Sequence, residues 1–183
     1  WAMALLPAHV LLTMAGRADH HAAEPLVWAL AMACALAALR TGRRAFWIGM
    51  GTACAAAVSL WPGGMVVTMA LAAGLAASVL RVREPGPRAP VSAGAAQGLG
   101  VAAAGIHIIC VTAPLARAGA WSYEELSWLQ PFAALGGMLL PAAAGRRRWA
   151  LVAAGVLAAV VAAWPGALHS LAEGVGYILR ADP

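Results

Sequence analysis

His169 and Glu173 stand four residues apart in ALHSLAEGVGYILR, an otherwise apolar stretch over 167–180. That spacing puts both on one face of a helix, with Tyr177 one turn further on. A carboxylate in hydrocarbon is costly, so it faces a bundle interior or a cavity and keeps a partner there. A histidine–carboxylate pair can share a proton or bind a cation, and the two donor types together suit Zn, Fe or Cu.

Two more histidines belong with this pair. His9 and His107 sit in similar local texts, HVLLTMAGR and HIICVTAPLAR. Each text has a histidine, an apolar run, a threonine and an arginine at the boundary. At a helical rise of ~1.5 Å, His9 lies about 12 Å from Arg17, His107 about 15 Å from Arg117, and Glu173 about 12 Å from the end of its own helix at Pro165. His169 lies nearer that end, roughly 6 Å from it. The expected metal site is therefore His107, His169 and Glu173, with His9 at the same level. Cys110, three residues after His107, and Met14, Met65 and Met69 add soft donors that favour copper over zinc if they converge. Paired histidines on separate helices also fit axial ligation of a b-type haem by His9 and His107. No CxxCH for covalent haem attachment is present.

The elements that must hold these residues are membrane helices. The chain has 183 residues, 63% hydrophobic and 10% charged, with mean hydropathy +0.80. A soluble domain carries roughly 25% charged residues. The net charge of +5 does not make a nucleic-acid surface. All twelve basic residues are arginines, and they fall in short clusters between apolar runs, as topology signals do. The expected fold is all-α integral membrane, with about eight short transmembrane helices near 2–16, 25–40, 45–61, 64–80, 92–115, 127–144, 149–163 and 166–179. Tryptophans near the span ends form an interfacial belt.

The punctuation repeats. GRRAFWIGMGTACAAAVSLWPG begins at Gly42 and GRRRWALVAAGVLAAVVAAWPG at Gly145. Both copies run on to a Leu-Arg end. Two parallel four-helix repeats are expected, 1–82 and 92–183, joined by a linker over 83–91. With eight helices, Arg40, Arg43, Arg44, Arg81, Arg83, Arg88, Arg146, Arg147, Arg148 and Arg180 share one side. Arg17 and Arg117 remain on the other. The positive-inside rule then places both termini in the cytoplasm of an inner-membrane protein. If each WPG were only a kink, this asymmetry would vanish.

Gly- and Ala-rich faces, around Gly49, Gly51, Gly98, Gly100 and Gly105, predict close helix packing within the chain or against other membrane subunits. Cys34, Cys54 and Cys110 form neither a CxxC motif nor a disulfide framework. No GxSxG, HExxH or P-loop is present, so no catalytic residue is assigned. Three function classes remain. The first is a small transporter or metal/cation-handling protein with a His/Glu site in the outer half of the bilayer. The others are a non-catalytic subunit of a larger membrane complex and a haem-bearing electron-transfer protein.

Overall fold

The computed structural model describes residues 20–81, 85–120, 122 and 125–145, with the single positions 155, 158, 169 and 172. Most of these residues are helical, with no strand among them. The helices are α1 (His20–Thr41), α2 (Arg44–Leu60), α3 (Gly64–Arg81), α4 (Pro85–Cys110), the single turn α5 (Pro114–Arg117) and α6 (Leu129–Gly145). Segments Ala23–Thr41, Gly64–Arg81 and Pro90–Cys110 are long and apolar enough to cross a membrane. The apolar helices Arg44–Leu60 and Leu129–Ala144 are shorter. The spans expected at 2–16, 149–163 and 166–179 lie outside the described residues, and the comparison of the two repeats lies there with them.

Helix α1 turns its large side chains outward. On α1, Leu26 is 73% exposed and Leu30 and Leu36 are each 54% exposed, while Ala31, Ala35 and Ala38 are buried. A helix in water would do the reverse. In lipid no hydrophobic force separates leucine from its surroundings, so small residues take the helix contacts and large ones meet the acyl chains. Together with the three long apolar segments, this pattern is that of an all-helical membrane protein.

The turns set the directions. At Trp61-Pro62-Gly63 the helix ends and the chain reverses. Gly64 packs against the Ala57 carbonyl, and the Cys54 and Thr68 side chains lie beside each other. Pairs 57/64 and 54/68 are the register of an antiparallel hairpin, so this WPG is a turn and not a kink. At the other end, Gly42 takes φ +66°, a left-handed conformation that glycine adopts without penalty. Its N–H closes on the Ala38 carbonyl at 2.8 Å. The Cys34 sulfur lies beside Gly49 across this hairpin. One end of the bundle therefore gathers Arg40, Arg43, Arg44 and Arg81, and Arg117 is at the far end.

Helices α2 and α4 run in the same direction and approach closely. Gly94, Gly98 and Gly105 of α4 meet Trp47, Met50 and Ala55 of α2, and Gly51 faces the Gly98 carbonyl. The Gly94-Ala-Ala-Gln-Gly98 spacing is a GxxxG motif used between parallel helices. At the arginine end, the Gln97 amide lies against the Arg44 guanidinium, and with its oxygen assigned toward the arginine it accepts from Nε at 2.6 Å and Nη2 at 2.7 Å. Helix α6 is antiparallel to α4. The Ser92 hydroxyl donates to the Pro141 carbonyl at 2.7 Å, and His107 meets Trp128. The glycine-rich faces are thus spent inside the chain.

Three boundaries differ from expectation. The stretch 83–91, expected as a linker, is helical from Pro85. Proline suits a first helical turn because its missing N–H would have been unpaired there anyway. Helix α1 already includes His20, where a start near 25 is expected, with Pro25 inside it. Helix α4 stops at Cys110, five residues before the expected end. Pro114 has no N–H for the Cys110 carbonyl, and the Ala113 N–H takes that carbonyl instead, at 2.9 Å.

Candidate functional site

The expected ligands separate. His107 is exposed on α4, one turn from the helix end, whereas Cys110 is fully buried. Sequence spacing suggests a common face, yet three residues of rotation turn one side chain out and the other in. The early end of α4 also corrects the depth of His107. It is roughly 5 Å of helix from the last residue of α4, not 15 Å from Arg117 along a continuous helix. Arg117 folds back instead, and its Nη2 donates to the Thr112 carbonyl at 2.9 Å. His169 is helical and exposed. His9 and Glu173 lie outside the described residues. No group of three His, Cys, Asp or Glu side chains converges among the described residues.

Around His107 the far end is well built. The imidazole lies 5.6 Å from the Trp128 ring, tilted by 46°, a geometry of favourable ring contact. The Trp128 indole N–H donates to the Ala116 carbonyl at 2.7 Å, fixing the short α5 turn against the start of α6. A Trp128→Phe variant keeps an aromatic partner for His107 and leaves that carbonyl only the Gly119 N–H, at 2.9 Å. It should lose about 1 kcal/mol, measured as a lower thermal midpoint in detergent.

A second feature is the buried polar knot before α6. Gln130 and Ser127 are both fully buried. The Ser127 N–H donates to Gln130 Oε1 at 2.9 Å, and Ser127 Oγ accepts from the Leu129 N–H at 3.3 Å. This reciprocal pair is a capping box. Gln130 Nε2 also donates to the Ser122 carbonyl at 3.1 Å and the Glu125 carbonyl at 3.0 Å. The signal Ser127-x-x-Gln130 was present in the sequence, at the start of the span expected over 127–144.

Beside this knot a cleft of about 420 Å³ opens at the far end, lined by Pro62, Ile109, Thr112, Ala113, Pro114, Glu125 and Leu126. Beneath it lies a packed cluster containing Met65, Ile106 and Cys110, with Met69 and Trp128 against it. Met65 and Cys110 thus belong to one apolar cluster with Met69 at its edge, while His107 is exposed. Glu24, one residue before the span expected at 25–40, is buried in the second turn of α1. No protein-family model, no curated protein and no solved structure matches this chain.

Proposed function

We propose that this is a multi-pass inner-membrane protein that handles a cation, a transition metal such as copper or zinc, in the outer half of the bilayer. In this reading it has eight spans in two parallel four-helix repeats, 1–82 and 92–183, with both termini in the cytoplasm. The arginine end then faces the cytoplasm and the cleft faces outward. The observation that carries the reading is the concentration of ligand-type side chains toward the far end. His107 stands exposed there beside Trp128, Cys110 and Met65 lie in the cluster below, and Glu125 lines the cleft. His169 and Glu173, one turn apart in an apolar stretch, supply the only carboxylate–histidine pair at helical spacing within an expected span.

The test is purification from native membranes with metal analysis and an absorption spectrum. Stoichiometric metal is expected, and it should disappear in a His169→Ala, Glu173→Ala double variant that still folds. Metal-free, colourless protein from metal-replete cells would sink the reading. A Soret band would transfer it to haem held by His9 and His107, and constant large partners would transfer it to a complex subunit.

A further inference from the structure

The outward faces of α1, α2 and α3 end in the same way. On α1 the exposed residues Met32, Leu36 and Arg40 follow at four-residue spacing. That stripe is apolar for two turns and then ends in a guanidinium. On α2 the exposed Arg44 stands one turn before the exposed Ile48, and on α3 the exposed pair Leu80 and Arg81 closes the helix. Each helix therefore offers lipid an apolar side chain and, one turn or less further out, a positive charge.

These charges are close together and uncompensated. Arg40, Arg43 and Arg44 flank the tight Gly42 turn, and the hairpin of α2 and α3 returns Arg81 to the same end. Among the described residues no hydrogen bond or ion pair engages the side chains of Arg40, Arg43 or Arg81. The Gln97 amide lies against the Arg44 guanidinium, and a neutral amide leaves that charge in place. The described carboxylates do not help, because Glu24 and Glu125 belong to the opposite end. Arg43 and Arg44 also open α2, whose first turn has no acidic residue and no side-chain cap. Positive charge there opposes the helix dipole, and a nearby anion relieves it.

We propose that the arginine end binds an anionic phospholipid, its phosphate diester held by Arg40, Arg43 and Arg44 and its acyl chains lying along the Met32–Leu36 and Ile48 stripes. The two halves of the surface select this ligand together. A free phosphate satisfies the arginines and leaves the apolar stripes unused. A zwitterionic phospholipid covers the stripes but brings its own cation to an end already rich in them. A lipid with net negative charge satisfies both, and arginines near a membrane surface attract such lipids. The site needs no metal at the far end, so it stands apart from the cation-handling reading.

The test places the full-length protein in phosphatidylcholine vesicles with a trace of spin-labelled phosphatidylglycerol or, in parallel, spin-labelled phosphatidylcholine. Electron paramagnetic resonance reads the fraction of each probe immobilised on the protein. Wild type should favour phosphatidylglycerol by about fivefold or more, the effect of one arginine near a membrane surface. An Arg40→Gln, Arg43→Gln double variant should hold the two probes alike, and Arg40→Lys, Arg43→Lys should keep most of the preference. If the double glutamine variant fails to fold, each single variant should lower the preference by itself. Arg117→Gln, at the far end, should keep it in full. No preference in wild type, or a preference untouched by the glutamine variants, would overturn the proposal. An equal loss in Arg117→Gln would overturn it too, by showing a response to net charge alone. So would loss of the preference in millimolar inorganic phosphate, which would make the arginines a site for free phosphate.

Discussion

Replacing Gly51 by alanine is expected to destabilise the bundle by about 3 kcal/mol, the upper part of the usual range for overpacking a close contact. The added Cβ would fall on the Gly98 carbonyl oxygen and within 2.9 Å of Val101 Cβ. Neither neighbour is the loose end of a long side chain. The Gly98 carbonyl belongs to α4 backbone, so relief requires moving α2 and α4 apart. That separation disturbs more than one contact, because Gly98 itself lies against the Trp47 carbonyl and Met50 Cε, each 2.6 Å from where its own Cβ would be. The measurement is the thermal or SDS-induced unfolding midpoint in micelles, followed by circular dichroism. Gly74→Ala is the control. A Cβ there meets nothing within 4 Å, so it should be neutral or gain up to about 1 kcal/mol from helix propensity. Equal behaviour of the two variants would mean that α2 and α4 do not pack through these glycines.

Gln130→Leu should cost about 2–4 kcal/mol, from several hydrogen bonds lost together at a buried position. Leucine fills much of the volume but leaves the Ser127 N–H and the carbonyls of Ser122 and Glu125 without the amide that now satisfies them. The stretch 117–128 would then lose its anchor to α6, and the cleft would lose the fixed position of Glu125 and Leu126. Ser127→Ala removes only the hydroxyl half of the capping box and should cost about 1 kcal/mol. Limited proteolysis gives an independent readout, with faster cleavage after Arg117 in Gln130→Leu than in Ser127→Ala. Unchanged cleavage in both variants would show that the knot does not hold this stretch.

Several features were legible in the residues. WPG ended α2, and the four arginines between Arg40 and Arg81 lie at one end of the bundle. Both follow from local chemistry, since proline removes a donor and arginine stays out of hydrocarbon. The small-residue faces were legible as contact surfaces, but their partners were not. Nothing in sequence pairs Gly51 with Gly98 or sets α2 parallel to α4, because glycine lets any backbone approach.

Which face of a helix points inward was the least legible property. In water, polar residues mark the outer face. In a membrane both faces are apolar, and periodicity loses its contrast. His107 and Cys110 looked like neighbours on one face and are exposed and buried respectively. Glu24 falls outside the span expected at 25–40 and is buried in α1. The sequence by itself determined the helical membrane class, the turn at WPG, the arginine end and the inventory of donors. Only the tertiary structure decided that Cys110 and Met65 share one apolar cluster with Met69 at its edge, because that depends on how α3, α4 and α6 rotate about their axes. Those rotations follow from close packing through glycine and alanine, which no single helix encodes.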